Sequence, residues 1–171
     1  METLGKVEIG GGRSPRGDGF LNLDILDCSD IKIDLEVEPL PFEDNSISEV
    51  YSAHCLEHVN NAVGVLGEVL RVCRNGADVE LRFPHWMHPM ASSTGHVHVL
   101  SDRQVEIWCK SPDSFWPKST KVFELKSIHY QIDIAYHELR PRFPMLTDEQ
   151  VAKYIPACCH EIRCKMKVVE R

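Results

Sequence analysis

The feature that most constrains this chain is a short apolar run that stops on three glycines, Lys6-Val7-Glu8-Ile9 followed by Gly10-Gly11-Gly12. A strand that enters such a turn exposes its backbone to close approach, because no side chain intervenes. Arg13 to Gly19 is polar and glycine-rich and reads as a loop. Phe20-Leu21-Asn22-Leu23-Asp24-Ile25 is a second strand with an acid near its end, and Ile31 to Leu35 alternates as a third, shorter strand, again with an acid, Asp34. Pro39-Leu40-Pro41-Phe42 is a stiff connection, Glu43 to Ser46 a turn, and Ile47 to Ala53 a fourth strand. From Asn60 to Arg74, Val63, Val65, Leu66, Val69, Leu70 and Val72 recur near helical spacing, and Asn75-Gly76 is a capping pair. Ala77 to Phe83 alternates into a fifth strand closed by Pro84. This order predicts an α/β fold with a Rossmann-like, mostly parallel sheet.

The second half is less periodic. His85 to Ser101 holds four histidines and reads as a functional loop. Asp102 to Lys110 is a helix with Ser101 as N-cap. Val122 to Leu139 is strand-like, with Ile128, Tyr130, Ile132 and Ile134 alternating. Thr147-Asp148-Glu149-Gln150 opens a short helix that ends by Pro156, and His160 to Val169 alternates into a last strand, expected to be antiparallel. One domain is expected over residues 1–171, with a cofactor-binding half at 1–84 and a substrate loop plus C-terminal strands at 85–171.

Charge and cysteine usage narrow the partners. A formal charge of −7 repels a phosphate backbone, so nucleic acid is not expected as substrate. No apolar run approaches the roughly 20 residues that span a bilayer, and Met1 to Lys6 lacks the layout of a secretion signal, so no membrane association and a cytoplasmic location are expected. The seven cysteines follow no framework spacing and Cys158 adjoins Cys159, which reads as reduced thiols filling the core.

Asp24 carries the first chemical inference. An acid at the end of the second strand can accept hydrogen bonds from both hydroxyls of a ribose, in the layout where glycines close the first strand. The interval from Gly10–Gly12 to Asp24 is somewhat shorter than the usual one.

Together, Glu8 to Gly12, Gly19 to Ile25, Asp34-Leu35 with Pro39 to Ser46, Val50 to Val59, and Leu66 to Ala77 resemble the class I S-adenosylmethionine-dependent methyltransferases, in the compact branch with a His-x-Leu-Glu-His run after the fourth strand. The resemblance covers about residues 5 to 85. It implies S-adenosyl-L-methionine as cofactor, with Gly10, Gly11 and Gly12 along its methionine part and Glu8 beside the turn. It places Asp24 on the ribose, Ile25 on the adenine, Asp34 at the adenine amino group and the backbone of Leu35 next to it. Ser52 and His54 would sit near the methyl donor and substrate. Acids suit a sulfonium ligand because they stabilise its cation. The sequence departs from the family's usual Gly-Cys-Gly at Gly11, where only small size is required. It also begins almost at its first strand, which predicts as acceptor a small molecule or an exposed end of something larger, with a homodimer completing the pocket; transfer is expected to an oxygen or nitrogen of a small-molecule acceptor.

The histidines leave alternatives open. His54-Cys55-Leu56-Glu57-His58 spells His-x-x-Glu-His, which on a helix can bind zinc, but the resemblance implies no metal there, and Glu57 and His58 read as a hydrogen-bond network at a helix start. Downstream, His96 is the leading general base, with His54 the second catalytic candidate and His85, Trp86, His88 and His98 facing the substrate. His85, His88, His96 and His98 could instead converge on a metal. The competing functions are then a metal-dependent hydrolase or oxygenase using these histidines, and a catalytically inactive subunit that keeps the cofactor fold.

Overall fold

The computed structural model describes residues 5–171. Seven strands form one sheet: β1 (Lys6–Ile9), β2 (Phe20–Asp24), β3 (Ile31–Lys32), β4 (Ile47–Ala53), β5 (Cys73–Pro84), β6 (Lys121–Ile132) and β7 (Cys159–Glu170), in the order β3-β2-β1-β4-β5-β7-β6. The first five are parallel, and β7 runs antiparallel to both β5 and β6. The helices are α1 (Ala62–Val72), α2 (Asp102–Lys110), α3 (Ile134–Leu139) and α4 (Asp148–Tyr154). This is the expected Rossmann-like α/β architecture with antiparallel C-terminal strands.

Local chemistry explains the element ends. Asn61 caps α1 by accepting from the Gly64 N–H, Ser101 does the same for α2 from Gln104, and α4 opens on a reciprocal capping box between Thr147 and Gln150. Three boundaries differ from expectation. Asn75-Gly76 does not cap α1. The helix ends at Val72 and the chain turns straight into β5, where the pairing jumps from Ile47↔Cys73 to Glu49↔Asp78, so these residues form a bulge with Gly76 at φ +81°. Ile134 does not extend the alternation of β6, because Asp133 accepts from the Ala135 N–H and starts α3. The third strand shrinks to Ile31–Lys32, since only its first residues find partners on β2.

The two faces of the sheet are unlike. On one, Val79, Leu81, Phe83, Ile162, Cys164 and Met166 are buried under α1 and α2, whose inward residues include Leu66, Leu70, Val105 and Trp108. Truncating one such Leu costs about 2–5 kcal/mol. The opposite face carries the alternate residues, paired as Lys6–Glu49, Arg82–Glu80 and Lys167–Asp78. Handedness explains this. Right-handed crossovers place the β4–β5 and β1–β2 connections on opposite faces, because the strand order runs in opposite directions from the centre. The first connection is a helix and the second only a loop, so the face under the loop stays open and the strands put charge there. Arg16 anchors that loop, its guanidinium stacked 4.5 Å from the Tyr51 ring and 5.0 Å from Phe20.

The cysteines are all free, and burial pushes the thiols of Cys73, Cys159 and Cys164 up to about 12, so they pack as neutral groups.

Candidate active site

At the carboxyl ends of β2, β3 and β4 lies a cavity of about 260 Å³ lined by Asp24, Ile25, Asp34, Leu35, His54 and His58, with Ile33, Glu36, Cys55 and Val59 completing the wall. Open parallel sheets bind ligands here, beside the point where the strand order reverses, because the chain leaves adjacent strands in opposite directions and opens a crevice. In this sheet that point falls between β1 and β4.

Gly10, Gly11 and Gly12 do not line this cavity, but the turn they form positions the acid on one side of it. Gly10 adopts φ +73° and donates its N–H to the Leu23 carbonyl, and a Cβ there would overlap the Cys55 side chain. Gly12, at φ +58°, donates to Asp24 Oδ2 at 2.9 Å, while Leu26 N–H donates to Oδ1 at 3.1 Å. Two backbone donors thus orient the Asp24 carboxylate and leave it further lone pairs for a ligand. Ile25 beside it is 59% exposed, an apolar surface with nothing of the chain packed on it. Asp34 accepts from the Glu36 N–H at 2.9 Å. The N–H of Asn60 bonded to Glu36 holds that acid below its ordinary range.

Two residues assigned to the cofactor by resemblance are engaged elsewhere. Ser52 is buried and its hydroxyl donates to the Ile9 carbonyl at 3.0 Å, tying β4 to β1 rather than facing the cavity. Glu8 lies under the turn, where burial raises its pKa against the N–H that Arg16 donates to it at 2.6 Å. Both support the glycine loop from beneath.

The other side is built by histidines. His54 leaves β4 at φ +52°, a conformation that non-glycine residues rarely hold unless their surroundings force it. Its N–H donates to the Arg82 carbonyl, and its ring sits between two carboxylates, Nε2 at 2.9 Å from Glu161 and Nδ1 at 3.3 Å from Glu57. Glu161 first and Glu57 second raise the imidazole to about 9. Burial works to raise Glu161, but its bonds to His54 and Arg163 prevail and hold it at about 2. His54 is therefore an imidazolium at neutral pH. Both of its N–H groups are taken by these acids, so it is neither a free donor nor a free base. Cys55 is no nucleophile, because burial pushes its thiol up to about 12.

The His-x-x-Glu-His run is not helical across its length. His54 precedes a single 3₁₀ turn, Leu56–His58, so its two histidines do not share a helix face. The four downstream histidines disperse as well. His85 is fully buried against Trp86 and Tyr130, and burial lowers its pKa. Trp86 borders a second cavity with Asp102 and Lys153. His88 accepts from the Met90 N–H and lies 3.9 Å from Asp133. His98 Nε2 lies 3.0 Å from the Asn60 carbonyl. His96 packs edge-on to the cavity residue His58, the ring centroids 4.5 Å apart. Sequence reasoning did not single out Glu161, which is 107 positions from His54, or His58 as a cavity residue.

A family model described as a methyltransferase domain matches residues 24–79. An S-adenosylmethionine-dependent methyltransferase from Archaeoglobus fulgidus superposes with a TM-score of 0.68 at 10% identity, covering 97% of this chain and 86% of that one. The chain shares the fold of these methyltransferases, and its residues 24–79 are similar to the methyltransferase-domain model. Geranyl diphosphate methyltransferase, solved in complex with S-adenosylmethionine, gives a TM-score of 0.58 at 11% identity, over 95% of this chain and 77% of that one. The [4+2]-cyclase SpnF gives 0.59 at 11% identity, over 98% and 76%. No curated protein sequence matches the chain. Among the described residues, no helix of this methyltransferase fold is long and apolar enough to cross a membrane.

Proposed function

We propose that this chain transfers a methyl group from S-adenosylmethionine to an oxygen or nitrogen of a small-molecule acceptor. The observation that carries the reading is the cavity at the strand ends, where an oriented Asp24 carboxylate, an uncovered Ile25 and the acids Asp34 and Glu36 lie together. These are the groups a ribose, a purine face and a cationic donor require: acceptors for two hydroxyls, an apolar plate, and negative charge near a sulfonium. The cofactor-bound and S-adenosylmethionine-dependent relatives of the same fold support the donor.

In the reaction the acceptor's lone pair attacks the methyl carbon in line with the breaking carbon–sulfur bond. The sulfonium leaves as a neutral thioether, and a hydroxyl or ammonium acceptor gives up a proton. Such a step depends chiefly on positioning, which a rigid cavity between two loops supplies. His54, held as a cation by two acids that take both of its ring N–H groups, braces the floor. The imidazoles of His58 and His96 at the rim are the bases available for the acceptor proton.

Calorimetry tests the reading. S-adenosylmethionine, or its demethylated product, is expected to bind one per chain. Absence of saturable binding to the folded protein would sink the proposal whatever acceptor is tried. With binding established, transfer of labelled methyl to a panel of small hydroxy and amino compounds separates an active enzyme from a binding subunit.

A further inference from the structure

Three hydrogen-bond acceptors converge where the turn after β4 meets the loop after β5. One ring nitrogen each of His58 and His96 and one carboxylate oxygen of Glu57 all lie within 4.8 Å of one another. Glu57 is 1% exposed, and neither of its carboxylate oxygens has a hydrogen-bond partner. The nearest charge is His54 Nδ1 at 3.3 Å. The His54 imidazolium balances its charge, and both carboxylate oxygens keep lone pairs that no close donor fills.

The tautomers of the two histidines are set by their other nitrogens. His58 Nδ1 lies 3.0 Å from the Gly95 carbonyl and His96 Nδ1 lies 3.3 Å from the Ala91 carbonyl. A carbonyl only accepts, so each Nδ1 carries the proton and each Nε2 keeps a lone pair. Metal-binding histidines are oriented in this way. The Ser93 hydroxyl, 3.3 Å from His96 Nε2, can rotate away. The backbone fixes the arrangement too, since the Val97 and His98 N–H groups both donate to the Glu57 carbonyl, at 2.8 and 3.2 Å.

We propose that Glu57, His58 and His96 form a binding site for one divalent transition-metal ion, zinc foremost, at the rim of the cofactor cavity. Two imidazoles and one carboxylate suit zinc or cobalt, whereas magnesium and calcium require oxygen throughout. Three protein ligands leave a coordination position for an oxygen from outside the chain. When Glu57 turns to the ion, His54 keeps Glu161 as its partner. On the methyl-transfer reading the open position takes the acceptor's oxygen; with the ion bound, His58 and His96 serve as its ligands and not as bases, and the acceptor's proton goes to water. That clause rests on the reading, but the metal site does not.

The experiment is a cobalt(II) titration of the full chain after chelator treatment, followed by visible absorption and calorimetry. One cobalt per chain is expected, with the d–d bands of a four- or five-coordinate nitrogen–oxygen site that disappear as zinc displaces it. His58→Ala and His96→Ala are each expected to weaken binding by about 10-fold or more, as loss of a ligand does, while His88→Ala leaves it unchanged. Glu57→Gln is a further variant, and should it unfold the protein the two histidine variants still decide. Lack of saturable cobalt binding, undiminished binding in a His58→Ala/His96→Ala double variant, or sulfur-to-cobalt charge-transfer bands would each overturn the site. Donor binding measured on the metal-free protein tests the methyltransferase reading separately.

Discussion

The two walls of the cavity are made differently. The acidic wall, Asp24, Ile25, Asp34 and Leu35, comes from residues that directly follow β2 and β3, and its key bonds, such as Gly12 to Asp24, span 12 positions. The histidine wall is assembled from a distance: His54 meets Glu161 across 107 positions and His58 meets Gly95 across 37. The first wall is a consequence of strands ending in a parallel sheet. The second exists only because the turn after β4, the loop after β5 and strand β7 are brought to one edge. It follows that the acidic wall should tolerate changes in the C-terminal half, while the histidine wall should not.

The largest expected effect lies where the walls touch. Gly10→Ala would drive a Cβ into Cys55 at a positive φ. Overpacking costs about 1–3 kcal/mol and the left-handed conformation about 1–2, so denaturant unfolding should show a loss of about 2–5 kcal/mol, partly recovered by Cys55→Ala. A variant as stable as the parent would mean that the walls are not in contact.

Asp24→Ala should come next, weakening S-adenosylmethionine binding roughly 10- to 100-fold in calorimetry, because hydrogen bonds to a charged group contribute about 1.5–3 kcal/mol. An unchanged affinity would remove the acidic wall from the site.

The histidine wall should show itself in pH dependence. The raised pKa of His54, about 9, means that its stabilisation is complete below about 6.5 and disappears as pH rises through 9. Glu161, depressed to about 2, contributes above its ordinary value and loses this as pH falls toward 2. The side chain of His54 is 47% exposed, so solvent screening limits the effect to no more than about 1 kcal/mol. Unfolding from pH 6.5 to 9 should therefore decline gently in the parent and stay flat in His54→Gln, with a histidine resonance titrating near 9 by NMR. Equal slopes would disprove the bracing by Glu57 and Glu161.

The smallest effect provides the baseline. Lys167, on the open sheet face, pairs with Asp78 at 2.8 Å in solvent. Lys167→Ala should change stability by less than about 0.5 kcal/mol by thermal melting. A larger loss would show that the open face carries more than a solvated ion ladder.

How far each part could be read in advance follows the same division. The glycine turn, the acids after β2 and β3, and the caps at Asn61, Ser101 and Thr147 are local, and the chain spells them out within a few residues. The bulge at Asn75-Gly76 was hidden because Asn-Gly after a helix is also a capping signal, and only the pairing with β4 decides between the two. Ser52 followed the family pattern, yet the hydroxyl is taken by Ile9 of the neighbouring strand.

The succession of strands and helices along the chain and the acids that follow the second and third strands were legible in the sequence alone, because period, turn chemistry and strand-end position are properties of neighbouring residues. Which histidines meet was decided by tertiary structure. His85, His88, His96 and His98 lie within one short stretch, but they disperse, and His96 alone joins Glu57 and His58. The reason is geometric. A loop without its own periodicity takes its path from the backbone bonds it finds, here from Val97 and His98 to the Glu57 carbonyl, and those partners lie about 40 positions away.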